Sequence, residues 1–323
     1  MSSTPAIASH PDCALIVPVY RNEENIDALV ARLHELNTAI PGGIEVVCVV
    51  DGSPDASYAK LMGTLPNARF PSRVLLLSRN FGSFAAIRAG LEAVDLPYYA
   101  VMAADLQEPA QLLVSLFESL REEPVDIVLA TRSTREDPLV DRVAAGAFWG
   151  AYRRFVQREL PTGGVDVFGC NRTFRNQLLA LSESNSSLVG QLIWLGFRRK
   201  LIPYRREARR AGKSAWTFRR KVTYLMDSAF SFSDLPIRVF ILLGGVGLLA
   251  AIGFGLAVVT ARLAGYFDVP GYAATVITIL FFSGLNLLGL GIIGSYVWRA
   301  YENTKSRPLA IVLSEHRFSA RLP

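Results

Sequence analysis

The sequence predicts an α/β fold, a Rossmann-like and mostly parallel sheet, followed by two transmembrane helices. Strand and helix patterns alternate over about the first 235 residues, which is typical of a parallel sheet with helices on both faces. Two long uncharged apolar runs follow that region. The mean hydropathy of +0.29 is too high for an ordinary soluble chain, and the 19% of charged residues is too high for one embedded throughout. The 323 residues leave room for about two domains.

Five strands and three helices are predicted in order in the first region. The first strand, residues 13–20, is continuously apolar, as a strand buried on both faces should be. The further strands are residues 44–53, 74–80, 98–106 and 125–133. The helices are residues 22–39 with Asn22 as the cap, residues 84–94, and residues 109–123 with Pro109 in the first turn. Sheets of this kind bind ligands at the carboxyl ends of their strands.

The second region contains the predicted transmembrane helices, residues 237–262 and 272–298. The run Val239–Ala261 carries no charge, and at 1.5 Å per residue it spans about 35 Å, enough for a hydrocarbon core of about 30 Å. The alternative is a pair of buried core helices, although globular helices this long and uncharged are rare. Residues 1–213 are predicted as the cytoplasmic domain and residues 299–323 as a cytoplasmic tail.

Charge sets the predicted orientation. The stretch Arg198–Lys221 contains eleven Lys or Arg and one acid, whereas the loop between the two runs holds only Arg262 and Asp268 as charges. By the positive-inside bias both termini are cytoplasmic. The three cysteines are odd in number and lack metal-ligand spacing, so we expect them to be reduced, in agreement with a cytosolic domain. The N-terminus shows no signal-peptide pattern.

The segment 214–236 is predicted to be an amphipathic juxtamembrane helix. Phe218, Val222 and Leu225 recur at helical spacing, with the basic residues largely on another face. This pattern fits a helix lying on anionic lipid, and equally one packed on the soluble domain. The net charge of +6 suits an anionic partner, but nucleic acid, phospholipid and nucleotide sugars all qualify by sign alone.

Polar side chains follow four of the predicted strands, in the turns PVYRNEEN, VDGSPDAS, SRNFGS and AADLQEP. Asp105 and Gln107 are two residues apart, so in extended backbone they would point the same way and offer oxygen ligands to Mg²⁺ or Mn²⁺. Asp51 follows a buried strand and could accept a hydrogen bond from a base N–H. A nucleoside diphosphate, whose charge needs a metal ion or cations, would suit this edge.

Taken in this order and spacing, the motifs resemble those of the family 2 glycosyltransferases with the A-type fold. The branch that they resemble contains dolichyl-phosphate mannose synthase and bactoprenol glucosyltransferase. The resemblance rests on IVPVYRNEENI, VVDGSPDAS, SRNFGSFAAIRAGLEAV, MAADLQEP and WLGFRRKLIPYRREARRAGKS, together with the two C-terminal spans. Three departures stand out: Ala103 replaces the first acid of the metal motif, Val50 replaces the first acid of the second turn, and Lys213 lies two positions early. Losing the acid at position 103 should weaken divalent-metal binding.

The resemblance implies a role for each matching residue. Pro18, Tyr20, Glu23 and Asp51 would line the nucleoside pocket, while Arg209 and Lys213 would face the donor pyrophosphate. Asp105 and Gln107 would hold the metal, and Asp105 would thereby be catalytic. Arg132 and Arg142 would meet an acceptor phosphate, and Asp166 would be a catalytic residue that acts as a base or orients the sugar or the acceptor.

The function implied is inverting transfer of a sugar from a nucleotide-diphospho-sugar, of the UDP-glucose or GDP-mannose type, to a polyprenyl phosphate in the cytoplasmic membrane. The lipid-linked sugar would serve cell-envelope glycan or protein glycosylation. No nucleic acid is expected as a partner. The chain is expected to form a homo-oligomer through its transmembrane helices. Two alternatives stay open: transfer of a modified (amino) sugar to the same lipid, and a degenerate homologue that binds nucleotide sugar or partner subunits without turnover.

Overall fold

The computed structural model describes residues 11–132, 161, 165–183, 186–207, 235–264 and 271–321. Its centre is an eight-stranded mixed sheet in the order β7-β5-β6-β4-β1-β2-β3-β8. The strands are β1 (Cys13–Val19), β2 (Ile44–Val50), β3 (Ser72–Leu77), β4 (Tyr98–Val101), β5 (Ile127–Arg132), β6 (Val165–Asn171), β7 (Arg199–Tyr204) and β8 (Val312–Phe318).

Strand direction brings six carboxyl ends to one edge of the sheet. Strand β1 pairs in parallel with β2 and β4, β2 pairs in parallel with β3, and β5 pairs in parallel with β7. Strand β6 runs antiparallel between β4 and β5, and β8 runs antiparallel to β3. The carboxyl edge, as we call it, therefore carries the last residues of β1–β5 and β7 and the first residues of β6 and β8.

Helices cover both faces of the sheet. They are α1 (Ile26–Ala39), α2 (Ser57–Thr64), α3 (Ser83–Ala93), α4 (Ala110–Glu122), α5 (Arg172–Ala180) and α6 (Leu188–Trp194). Because successive side chains of a strand point to opposite faces, Leu15 and Val17 pack in one core with α1 and α4, whereas Ala14 and Ile16 pack in the other with α3 and α5. The continuously apolar strands of the sequence are thus explained by burial on both sides.

The five predicted strands and three predicted helices are all present, although most end within a few residues of the predicted bounds rather than at them. The prediction of Asn22 as a side-chain cap was wrong. Its side chain makes no capping hydrogen bond, and its backbone oxygen instead accepts from Asn25 N at 2.9 Å in a short 3-10 turn that precedes α1. A partly exposed turn tied to the neighbouring loop stands where the sequence indicated a simple helix start.

Two long apolar helices follow, α7 (Leu235–Leu263) and α8 (Tyr272–Thr304). By length and composition alone, Val239–Ala261 and Phe281–Thr304 are candidate membrane spans. Only 0% and 6% of the two windows are buried against the rest of the described structure, so these helices are not core helices of the sheet domain. Helix α8 continues past the predicted end at residue 298. The predicted juxtamembrane segment lies outside the described residues up to residue 234.

The C-terminal segment belongs to the sheet, which corrects the prediction of residues 299–323 as a tail. Strand β8 pairs with β3 from Ser72↔Phe318 to Leu77↔Val312. Its side chains add an ion pair of Arg73 Nη1 with Glu315 Oε1 at 3.5 Å. The strand covers what would otherwise be an open edge of β3, and open edges expose unpaired backbone groups. The sheet domain is therefore built from both ends of the chain.

Candidate active site

The turns after β1 and β2 are tied together by hydrogen bonds to carboxylates. Glu23 Oε2 accepts from Ala56 N at 2.8 Å, and Asp55 Oδ2 accepts from Glu23 N at 3.1 Å. Asp55 Oδ1 also accepts from Ser53 Oγ at 2.6 Å. Burial alone would raise the pKa of Asp55, but these hydrogen bonds outweigh it and hold the pKa below its usual value. Sequence reasoning missed Asp55, although its place in VDGSPDAS marked a turn acid.

Asp51, predicted to contact the base, holds the turn after β3. Its Oδ1 accepts from Phe81 N at 2.7 Å and its Oδ2 from Gly82 N at 2.8 Å, and the residue is only 2% exposed. Burial raises the pKa of Asp51 even against these two amides. The turns approach closely at Gly52, which has a φ of +55° and where a Cβ would lie 2.3 Å from the backbone carbon of Arg79. Asp51 thus organises the site in addition to any contact with a base.

The other two predicted nucleoside-pocket residues lie at the end of β1. Pro18 and Tyr20 are both partly exposed, so neither side chain is fully buried in the hydrophobic core. The guanidinium of Arg21 lies 5.4 Å from the ring centroid of Tyr20. Arg21 has a φ of 54°, a left-handed conformation that turns the chain sharply at the strand end. These positions agree with a pocket wall at the carboxyl edge.

The predicted geometry of Asp105 and Gln107 was wrong in one respect. The residue between them, Leu106, has a φ of 58°, so the chain turns there and the two side chains do not follow the alternation of an extended strand. Gln107 Nε2 donates to Glu207 O at 3.2 Å, and Asp105 Oδ2 lies 3.9 Å from Arg206 Nη2. Arg206, after β7, is a site residue that sequence reasoning left unassigned within its basic stretch.

The described residues contain no group of three His, Cys, Asp or Glu side chains that could hold a metal ion by themselves. Asp105 and the amide oxygen of Gln107 are hard oxygen donors of the type that Mg²⁺ and Mn²⁺ prefer. Position 103 is alanine and adds no ligand. The donor set therefore fits a divalent ion only as part of a site that a diphosphate completes.

Arg132 and Asp166 both occupy the carboxyl edge. Arg132 is the last residue of β5 and pairs in register with Tyr204 of β7. Asp166 is the second residue of β6, at a register shift where Ala130 pairs with Val167 and Thr131 with Val165. A bulge of this kind leaves the extra residue outside the ladder. Arg142, Arg209 and Lys213, the remaining predicted site residues, lie outside the described residues.

Comparison with known proteins identifies the family. The model of glycosyl transferase family 2 matches residues 14–181. An uncharacterized glycosyltransferase of Synechocystis sp. is 32% identical over 302 residues, covering 93% of this chain and 94% of that protein. The SfII prophage-derived bactoprenol glucosyl transferase of Shigella flexneri is 29% identical over 309 residues, covering 94% and 98%. The mannosyltransferase PcManGT from Pyrobaculum calidifontis, solved with GDP-Man and Mn²⁺, is 16% identical over 90% of this chain and 85% of its own, with a TM-score of 0.48.

The family model covers just over half of the chain, and the Synechocystis relative matches nearly all of it. The matched residues include β1 to β6, and with them the turns that carry Glu23, Asp51 and Asp105. The chain belongs to glycosyl transferase family 2 and is a glycosyltransferase.

Proposed function

We propose that this chain transfers a sugar, with inversion, from a nucleotide-diphospho-sugar to a polyprenyl phosphate at the cytoplasmic face of a membrane. Glucose from UDP-glucose is the favoured donor, because relatives that match this chain over 93–94% of its length are named bactoprenol glucosyl transferases. A GDP-mannose donor and use of the product in cell-envelope glycan or protein glycosylation extend the same proposal.

The observation that carries the proposal is the short link between α8 and the carboxyl edge. Helix α8 ends at Thr304, and Ile311 O already accepts from Ser78 N, in the turn after β3, at 3.0 Å. Seven residue steps span at most about 25 Å. The end of the apolar helix therefore lies within about 25 Å of the turn after β3, on the same edge as the predicted donor pocket. A polyprenyl phosphate keeps its chain in the bilayer and exposes only its phosphate at the membrane surface. A carboxyl edge close to the end of a membrane-spanning helix would be able to contact that phosphate.

The sheet also constrains the topology. Strands β1–β7 precede the two apolar helices and β8 follows them, yet all eight strands share one sheet. If α7 and α8 span a membrane, the chain must leave and return on the same side. The basic stretch Arg198–Lys221 supports a cytoplasmic position for that side, by the positive-inside bias. Both termini and the active edge would then be cytoplasmic, as the sequence predicted.

In the proposed reaction an oxygen of the acceptor phosphate attacks the anomeric carbon of the sugar. The bond from that carbon to the donor phosphate oxygen breaks, and the electron pair leaves with the nucleoside diphosphate. A phosphate monoester has a second pKa near 6, so it is largely dianionic at neutral pH and needs no general base. Asp166 would orient the sugar or the acceptor, and Arg132 and Arg142 would meet the acceptor phosphate.

The donor would lie across the turns at the carboxyl edge. Pro18, Tyr20, Glu23 and Asp51 would surround the nucleoside, and Arg209 and Lys213 would face the pyrophosphate. Asp105 and Gln107 would hold Mg²⁺ or Mn²⁺, which when bound neutralises charge that develops on the leaving diphosphate. A membrane anchor would raise the effective concentration of an acceptor that never leaves the lipid.

The test is a donor screen with membranes that contain the full chain. Radiolabelled UDP-glucose, GDP-mannose, UDP-galactose and UDP-N-acetylglucosamine are each supplied with polyprenyl phosphate, and label in the organic extract is counted. We expect label from one donor, UDP-glucose, and none from membranes carrying Asp105→Ala. If the label comes from UDP-N-acetylglucosamine instead, the transferred sugar is an aminosugar and not glucose. Donor binding without any extractable product would favour the non-catalytic alternative, for which Ala103 is the motivating residue.

A further inference from the structure

Arg206 lies on a segment that is fixed against the turn bearing Asp105. After β7 ends at Tyr204, the backbone of Glu207 makes two hydrogen bonds with Gln107. Glu207 N donates to Gln107 O at 2.9 Å, and Gln107 Nε2 donates to Glu207 O at 3.2 Å. Gln107 is itself 9% exposed, so this contact is shielded from water. The backbone next to Arg206 is thereby fixed against the turn that bears Asp105.

A third element supports the same arrangement. Arg32, on helix α1, donates from Nη1 to Glu108 O at 3.1 Å. Its Nη2 lies 3.9 Å from Glu207 Oε2. The turn after β4 and the segment after β7 are therefore both contacted by one cation, on helix α1. The place of Arg206 follows from three elements that are distant in sequence.

The guanidinium of Arg206 approaches Asp105 without being saturated by it. Nη2 lies 3.9 Å from Asp105 Oδ2, which is an ion pair but too long for a hydrogen bond. The two side chains are 29% and 15% exposed. Arg206 Nε is buried and has no hydrogen-bond partner among the residues that the structure describes. A buried donor without an acceptor is unusual and calls for a ligand or another partner.

The charge at this turn explains what the ligand would be. With alanine at position 103, Asp105 is the one acid of residues 102–107, and the next acid of the turn, Glu108, is buried. A site with fewer acids holds a divalent ion more weakly but leaves more net positive charge for a diphosphate. Arg206 adds a planar, permanently charged donor at the same place, and such donors match phosphate oxygens well.

We propose that Arg206 is a donor-binding residue, held in place by Asp105, whose guanidinium binds an oxygen of the donor pyrophosphate and supplies charge that a more tightly held metal ion would otherwise supply. The proposal rests on the proposed function only in that the anion belongs to a nucleotide sugar. The positive charge of Arg206 then lowers the affinity for the metal ion and raises the affinity for the diphosphate. Because removal of that charge should change the two affinities in opposite directions, the two effects can be measured separately.

The test measures binding of two simple probes to the full chain in detergent. Inorganic pyrophosphate is titrated by calorimetry in the presence of EDTA, and Mn²⁺ alone is titrated by the electron paramagnetic resonance of the free ion. For Arg206→Gln we expect pyrophosphate affinity to fall roughly tenfold and Mn²⁺ affinity to rise roughly fivefold, the scale of one unit charge a few ångströms away. Arg206→Lys should keep most of the pyrophosphate affinity. Arg69→Gln, an exposed arginine before β3, should change neither.

Unchanged pyrophosphate affinity in Arg206→Gln would overturn the proposal, and so would a fall in Mn²⁺ affinity. If the glutamine variant melts early, Arg206→Met, which is neutral and of similar length, takes its place under the same expectations. Neither probe contains sugar, base or lipid. If no donor gives lipid product but the probes bind as expected, the proposed function is rejected and the role of Arg206 is kept. If a donor gives lipid product but the probes do not bind as expected, the role of Arg206 is rejected and the proposed function is kept.

Discussion

The two halves of the carboxyl edge use their carboxylates differently. In the nucleoside half, formed by the turns after β1, β2 and β3, the carboxylates of Glu23, Asp51 and Asp55 all accept hydrogen bonds from backbone amides of other turns. In the transfer half, formed by the turn after β4 and the segment after β7, Asp105 faces the side chain of Arg206. Acids that bind backbone amides set the shape of the edge, whereas Asp105, beside Arg206, is proposed to face a charged ligand.

This difference separates stability from activity. Loss of a carboxylate in the nucleoside half leaves backbone donors without an acceptor, which lowers the free energy of unfolding. Loss of a carboxylate in the transfer half removes charge from the place where the donor is proposed to bind. The experiments below test that division, beginning with the largest expected effect.

The largest effect is expected for Asp105→Ala. We expect lipid-directed transfer to fall by at least about 100-fold, a typical loss when an electrostatic group is removed from an active site. The melting temperature should stay close to that of the wild type, because a carboxylate at a strand end contributes little to the core. Transfer and thermal melting in detergent are measured on the same preparation. Near-normal turnover would remove Asp105 from the site.

The next effect concerns the strand that returns from the apolar helices. Deletion of residues 308–323 removes β8 and opens the edge of β3. We expect the melting temperature to fall by about 10 °C, at roughly 2–4 °C per kcal/mol for a domain of this size. Removal of residues 322–323 alone is the control and should leave melting unchanged. Equal melting of both truncated forms would show that β8 contributes little to the domain.

In the nucleoside half, Asp51→Ala leaves the amides of Phe81 and Gly82 without their acceptor. We expect the free energy of unfolding to fall by about 1–3 kcal/mol. Asp51→Asn keeps one oxygen acceptor and should lose less. Chemical denaturation in detergent compares the two variants. A loss of transfer with unchanged stability in Asp51→Ala would place Asp51 among the ligand-facing acids instead.

A smaller effect is expected when an acid is returned to the transfer half. Ala103→Asp adds a carboxylate to a site for a hard cation, so Mn²⁺ affinity should rise about fivefold. Ala320→Asp, at an exposed position beyond β8, is the matched control and should not change the affinity. If the two variants bind Mn²⁺ alike, position 103 does not face the ion.

The smallest effect is expected in the pH dependence of stability. A hydrogen bond from Arg198, helped by Asn171, lowers the pKa of Asp126 below its usual range. An acid with a depressed pKa in the folded state stabilises the fold above its unfolded pKa of about 3.9, and this contribution is lost as the pH falls through the folded pKa. Asp126→Asn should therefore flatten the loss of melting temperature on acidification from pH 5 to pH 3.

Asp51 provides a contrast within the same titration. Burial raises its folded pKa, so its contribution to stability is present below the unfolded pKa and is lost as the pH rises through the folded pKa. Asp51→Asn should remove that contribution and steepen the net loss of stability on acidification. If the Asp51 and Asp126 variants shift the curve in the same direction, the assignment of one of them is wrong.

The sequence by itself determined the parallel sheet, the turns that meet at its carboxyl edge and the two apolar helices. Continuous apolar strands require burial on both faces, and parallel strands bring their following turns to one edge, so these conclusions need only local patterns. The family resemblance rests on motifs in the same turns, and the match over residues 14–181 confirmed it.

The tertiary structure alone decided which groups those turns contact. These contacts all join residues that are far apart in sequence. They are the hydrogen bonds of Glu23 and Asp55 between the turns after β1 and β2, the hydrogen bonds of Asp51 with Phe81 and Gly82, and the ion pair of Arg206 with Asp105. The pairing of β8 with β3 joins residues as far apart in sequence as Ser72 and Phe318. A periodic pattern reports which face of an element is buried, but it carries no information on which distant backbone amide or cation a given carboxylate will meet. The partner is decided when the chain folds, because a carboxylate that loses its hydration at the sheet edge must form hydrogen bonds or an ion pair with whatever group lies beside it.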